Sequence, residues 1–355
     1  MTHLGIILVL CLALGLAALA AGEGTEKRWS AEKANAWYAR QPWLVGCNFI
    51  NSNAINQLEM FQADTWDPKT IDRELGWARA LGFNTVRTYL HDLAWEQDAE
   101  GFKKRLDEFL GLCAKHKIRP MLVIFDDCWN RDPKPGKQPE PVPGVHNSGW
   151  LQSPGQAKVN DPKTWWYLER YVTDLMTSFG KDDRILMWDL YNEPGNTKQG
   201  DRSLPLLKAV FEWARAGKPQ QPLSVGVWSN GLKNLNAYQL AQSDVITFHN
   251  YSNAKSLKGQ IKGLREHGRP VICTEWMRRP VSAIPTHLSI FAREKVGCYN
   301  WGLVSGKTNT IFPWGSKKNA PEPKRWFHDL LRADGMAYDA KEIEQLKKTI
   351  QETRK

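Results

Sequence analysis

Cysteine is scarce in this chain, and what there is of it is not arranged for chemistry. The 355 residues include six cysteines with no C-x-x-C pair among them, which disfavours a zinc site or a dense disulfide framework. Removal of an N-terminal leader takes Cys11 away and leaves an odd number. Cys47, Cys273 and Cys298 sit inside apolar runs and read most simply as small buried hydrophobes, while one disulfide stays open for an exported protein. No heptad or short-period repeat is present, so neither a coiled coil nor a solenoid is expected. No glycine-rich phosphate turn follows the first strand-like run at Trp43, and the usual mark of a dinucleotide-binding sheet is missing. The net charge of +10 is spread over helical segments such as "GFKKRLDEFLGLCAKHK" and "KEIEQLKKTIQETRK". That pattern belongs to a solvated face rather than a phosphate track, and no nucleic-acid partner is expected.

What the chain has in plenty is tryptophan, 17 residues. Its flat apolar face and N–H donor suit core packing and also stacking on sugar rings, and the core is expected to take the majority. The opening "MTHLGIILVLCLALGLAALAAGEG" is an apolar stretch in which Ala18-Leu19-Ala20 forms a small-x-small cleavage pattern. Residues 1–22 are read as a secretory signal, which predicts a secreted or periplasmic protein without stable membrane insertion after its removal. An uncleaved anchor is the competing reading, because the run is nearly long enough to span a bilayer. Residues 23–42 then form a lead-in, 43–335 a single domain and 336–355 a C-terminal helix, in a chain expected to be monomeric.

From Trp43 onward, strand-like runs alternate with segments of helical period. "PWLVGCNFI", "NTVRTYL", "RPMLVIFDD", "RILMWDLYNEP", "PLSVGVWS", "DVITFHNYS", "PVICTEWM" and "GCYNWGLVSG" are eight strand candidates. Between them lie helical stripes, such as Ile71, Leu75 and Ala78, or Phe102, Leu106, Phe109, Leu110 and Cys113. The alternation closes with "KRWFHDLLRADG", each strand candidate being followed by helical or loop material. Strands alternating with helices imply a parallel sheet with right-handed crossovers, and eight units point to a closed (β/α)8 barrel of the α/β class. Near-continuous apolar character in "MLVIF", "ILMW" and "VICT" fits strands buried on both faces.

In such barrels the chemistry sits at the C-terminal ends of the strands. The polar or aromatic residues closing the runs are Asn48, Arg87 with His91, Asp126 and Asp127, Asn192 with Glu193, Trp228, His249 with Tyr251, Glu275 with Trp276, and Trp301. Glu193 and Glu275, on opposite sides of the mouth, are able to converge on one bond. "NEP" after the fourth strand, "HNY" after the sixth, "TEW" at the seventh and "NWG" at the eighth resemble clan A glycoside hydrolases, most nearly the cellulase-like and mannanase-like enzymes of family 5. The resemblance covers about Trp43 to Gly335. It implies a retaining glycosidase of cellulase, xylanase or mannanase type, acting on a β-linked oligo- or polysaccharide without metal or organic cofactor. It also implies that Glu193 is the acid/base and Glu275 the nucleophile, with Asn192 at the sugar 2-hydroxyl. Arg87 and Tyr251 would hold Glu275 ionised, His249 would line the acid/base side, and Trp301 would form the platform under the sugar. Further substrate contacts are expected from Trp276, His91, Asp126 and Asn48, with Trp129 and Trp228 as additional platforms.

The physical chemistry asks for carboxyls of split pKa. Arg87 favours an ionised Glu275, and apolar neighbours such as Trp188 and Tyr191 are expected to keep Glu193 protonated. The long loop containing "PGVHNSGWLQSPG" reads either as a lid bringing His146, Asn147 and Trp150 to the mouth or as a surface loop folded on itself. A non-catalytic carbohydrate-binding protein on the same barrel is the alternative function.

Overall fold

The computed structural model describes residues 27–354; the leader expected at residues 1–22 lies outside them. The apolar runs form eight strands: β1 Val45–Asn48, β2 Thr85–Tyr89, β3 Arg119–Asp126, β4 Met187–Asn192, β5 Leu223–Ser224, β6 Ile246–His249, β7 Val271–Trp276 and β8 Gly297–Trp301. Their order is β5-β4-β3-β2-β1-β8-β7-β6, with parallel pairing throughout. The remaining seam, between β5 and β6, is closed just past the short β5. There Val227 bridges Phe248, its N–H donates to the Thr247 carbonyl at 3.0 Å and its carbonyl accepts from the His249 N–H at 3.0 Å. The result is the expected (β/α)8 barrel.

The outer helices are held by the stripes legible in the sequence. Helix Pro68–Ala80 starts at Asp67, whose carboxylate accepts from the Lys69 and Thr70 N–H groups, and buries Ile71, Leu75 and Ala78. Helix Ala99–Lys115 buries Phe102, Leu106, Phe109, Leu110 and Cys113. The lead-in is part of the fold. Its helix Ala31–Ala39 carries Ala34 and Trp37 beneath the barrel, packed with Leu44, Met121, Met187, Val245, Ile272 and Tyr299. This apolar floor gives way upward to polar pairs, Thr85 with the Tyr299 hydroxyl at 2.8 Å and Ser224 with Thr247 at 2.7 Å. Above them lies the buried ion pair of Arg87 and Asp189. The interior therefore grows polar toward the C-terminal strand ends, where the mouth opens.

Two expectations are sharpened here. Residues 324–335 are not helical; the helix comes later, at Ala340–Thr353. The buried Arg279 guanidinium donates to the carbonyls of Trp326, His328 and Asp329, so this backbone is spent on a side chain instead of an intrahelical ladder. All five cysteines among the described residues are free and buried. No helix among the described residues is long and apolar enough to cross a membrane.

Candidate active site

The chain reverses sharply where β4 leaves the sheet. Glu193 takes φ +44°, a conformation that few non-glycine residues adopt and that needs support. The support is local. The Asn196 N–H donates to the Glu193 carbonyl at 3.0 Å, and the Gly195 N–H donates at 2.7 Å to Asp127, which also accepts from Tyr191 and Ser203. Burial pushes Asp127 up to about 6 against those donors. Its task is to fix the turn that aims Glu193 into the mouth.

Glu193 Oε1 meets His249 Nδ1 at 2.8 Å, and Oε2 accepts from the Asn196 amide at 2.5 Å and the Cys128 thiol at 3.2 Å. Burial raises this carboxyl, but the hydrogen bond and charge of His249, with Cys128 and Asn196, outweigh it and hold the group below its ordinary value. The expectation that Trp188 and Tyr191 keep it protonated fails for a geometric reason. Trp188 donates to Gln221 and Tyr191 to Asp127, and both rings pack in the core between barrel and helices.

Glu275 is surrounded by donors. Oε1 accepts from Arg87 at 2.8 Å and the Tyr89 hydroxyl at 2.9 Å, and Oε2 from the Tyr251 hydroxyl at 2.8 Å. Arg87 is wholly buried and also binds Asp189, Asn48 Oδ1 and Asn192 Oδ1. His249 Nδ1 lies 3.6 Å from Glu275 as well, so one imidazole stands between the two glutamates. The donor atoms of Glu193, His249 and Glu275 all lie within 4.8 Å of one another, the one set among the described residues close enough to hold a metal ion. Here those atoms are already engaged by Arg87, Tyr89, Tyr251, Asn196 and Cys128.

The glutamates line a cavity of about 1130 Å³ that also takes in Asn192, His249, Tyr251, Trp228, Trp301 and Trp129. A sequence profile described as "Cellulase (glycosyl hydrolase family 5)" matches residues 50–305.

The chain belongs to glycosyl hydrolase family 5. It is a glycosidase. Among curated proteins, none matches this family 5 hydrolase in sequence. Solved structures of like fold include GH5_18 from Streptomyces cattleya in complex with GlcNAc, with a TM-score of 0.62 at 13% identity over 89% of this chain and 81% of that one. An exo-β-1,4-mannosidase from Opitutaceae bacterium strain TAV5 has a TM-score of 0.62 at 19% identity, over 87% of this chain and 60% of that one. An endo-β-1,4-mannanase from Thermotoga petrophila has a TM-score of 0.59 at 15% identity, over 90% and 78%. At such identities the likeness is one of fold.

Of the residues expected at the mouth of this family 5 hydrolase, Arg87, Asn48 and Asp126 sit behind the cavity wall rather than on it. Asp126 accepts from the Asn192 amide at 2.9 Å and the Trp150 indole at 2.8 Å, and burial pushes it up to about 7. Two expectations are overturned. Trp276 points away from the mouth, buried between His287 and Phe291, because neighbours along a strand face opposite sides and Glu275 has taken the inner one. His91 is fully buried, accepts at Nδ1 from the Leu93 N–H at 3.1 Å and caps the helix Asp92–Gln97.

Sequence reasoning missed Tyr89, Asp189, Cys128 and Asn196 around the glutamates, and Arg278, Trp314 and His328 on the cavity wall. His146, Asn147 and Trp150 do reach the mouth, so the long loop after β3 forms part of the cavity wall. His146 is buried with Nδ1 on the Phe312 carbonyl at 2.7 Å, and burial pulls the imidazole down to about 4. The folded state thus refuses a proton that the unfolded chain accepts at about 6.5. Stability from this group is intact above pH 6.5 and falls as pH drops toward 4, by up to about 3 kcal/mol. Urea unfolding across that window is expected to show a shallower acid loss for His146→Gln than for the parent protein; identical slopes would contradict the assignment.

Proposed function

We propose that this hydrolase cleaves β-linked glycosides with net retention, using Glu193 as acid/base and Glu275 as nucleophile. The observation that carries the reading is the closeness of the two carboxylates, one oxygen of Glu193 lying within 4.8 Å of one oxygen of Glu275. Retaining enzymes hold theirs roughly 5–5.5 Å apart, and inverting enzymes need about 6.5–9.5 Å to admit a water. Three donors fix Glu275 in place for attack on the anomeric carbon. As the C1–O bond breaks, Glu193 passes its proton to the leaving oxygen. His249 Nδ1, 2.8 Å from Glu193 Oε1, holds the carboxyl in place for that transfer. In the second half, the Glu193 carboxylate takes a proton from water, whose oxygen displaces Glu275 from C1. Asn192, fixed by Arg87 and Asp126, lies at the sugar 2-hydroxyl, and Trp301 forms the platform beneath the ring. His249 and Tyr251 orient the two carboxylates.

The substrate class is a β-linked oligo- or polysaccharide, and a panel begins with β-mannosides because mannosidase and mannanase structures share the fold. The enzyme works as an exported monomer, which N-terminal sequencing and light scattering of the secreted protein test. For the acid/base, leaving-group dependence is the decisive measurement. Glu193→Gln is expected to slow hydrolysis of oligosaccharides by a factor on the order of 10²–10⁴, while dinitrophenyl glycosides, whose leaving group needs no proton, still form the glycosyl-enzyme rapidly. Equal losses for both leaving groups would remove Glu193 from the role.

A further inference from the structure

The cavity is open on one side of the glutamates and walled on the other. On the Glu193 side it continues past Asn196, Thr197, Trp228 and Asn230, and from there round the loop after β6 to Ser252, Ser256, Gly259 and Gln260. On the Trp301 side the loop after β3 lines the cavity and is stitched to the loop after β8. The Asn147 N–H donates to the Thr308 carbonyl at 2.8 Å and the Asn319 N–H to the Pro143 carbonyl at 2.7 Å. The His146 N–H donates to Ser316 at 3.0 Å, His146 Nδ1 binds the Phe312 carbonyl, and the Asn309 amide donates to the Val142 carbonyl at 3.1 Å. The two loops touch backbone to backbone, since a Cβ on Gly144 would sit 2.5 Å from the Ala320 nitrogen.

The loop after β1 completes the wall. Asn56 donates to the Gly149 carbonyl at 2.9 Å, and the Lys307 N–H donates to the Ser52 carbonyl at 2.9 Å. Behind it, Tyr89, Trp150 and Trp301 meet edge to face, with centroids 5.0, 5.7 and 5.9 Å apart. Beyond that aromatic plug the groove shrinks to a void of about 20 Å³ lined by Asn48, Ile50, Thr310 and Asp329. Such a space takes about one water and no sugar.

The roles of the glutamates give this asymmetry a direction. A leaving group departs on the side of the acid, and the sugar attacked at C1 lies over the nucleophile and Trp301. We propose that the walled side is a dead-end pocket for one terminal sugar, so that the enzyme acts from the non-reducing end and releases monosaccharides. The proposal rests on the retaining assignment above, which supplies the polarity.

The test uses the full-length enzyme on β-1,4-linked manno- and gluco-pentasaccharides, each with the non-reducing end either free or capped by a 4,6-benzylidene group, together with aryl β-glycosides. Free-ended chains are expected to yield monosaccharide and tetrasaccharide as first products, and capped chains to be cut slower by at least about 100-fold. First products of two or three sugars, or comparable cleavage of capped chains, would overturn the end-on reading and leave the glycosidase assignment standing. No turnover above the Glu275→Gln control on any of these substrates would overturn both.

Discussion

Glu275→Gln is expected to abolish measurable turnover of aryl β-glycosides, with a loss on the order of 10⁴-fold or more, while the protein stays folded. The substitution keeps the shape of the side chain and removes its ability to form a glycosyl ester. It also converts a well-matched acceptor into a mismatched group. Arg87, Tyr89 and Tyr251 all approach this carboxylate as donors, and an amide NH2 in place of one oxygen finds a partner only if a tyrosine hydroxyl turns from donor to acceptor. The global fold is not at stake, because Arg87 keeps its ion pair with Asp189. Steady-state kinetics beside a thermal melt separates the two effects. Near-parental turnover in a well-folded variant would exclude Glu275 as the nucleophile.

Arg87→Met carries the largest expected cost in stability, about 3–5 kcal/mol. The guanidinium sits at the centre of the barrel with both Asp189 and Glu275 on it, and all three side chains are buried or nearly so. Asp189 Oδ1 already lacks a partner, so removing Arg87 leaves an uncompensated carboxylate where water does not reach. An unpaired buried carboxyl titrates above its unfolded value. The stability of the variant is therefore greater at acid pH, where the group is neutral, and declines as pH rises. Urea titrations of Arg87→Met with and without Asp189→Asn, at pH 4.5 and pH 7 by choice of buffer, form a cycle that isolates the pair. A loss below about 1 kcal/mol, the range of an exposed ion pair, would show that the network does not hold the barrel's upper layer.

The sequence disclosed those parts of the site in which a polar residue closes an apolar run. Asn192, Glu193, His249, Tyr251, Glu275 and Trp301 were legible for that reason, and so was the barrel, from eight alternations of two periodicities. Tyr89 and Asp189 were not, because a strand buried on both sides gives no sign of which face looks inward. Within "NTVRTYL" and "LMWDLY" they pass for ordinary strand residues. Trp276 and His91 show the opposite error, since being next in sequence to a functional residue does not place a side chain beside it in space. Cys128 and Asn196 depend on the path of the loops that hold them, above all on the left-handed turn at Glu193. Residues 324–335 have a helix-like composition, and only the buried position of Arg279, from a different loop, explains why their carbonyls point elsewhere.

The imidazole of His249, 2.8 Å from one glutamate and 3.6 Å from the other, is a neighbour that both carboxylates share. Side chains in such contact do not respond to substitution one at a time. A change at Glu275 alters the surroundings of the ring that holds Glu193, so the losses measured for the two glutamates and the histidine are properties of the trio and do not add.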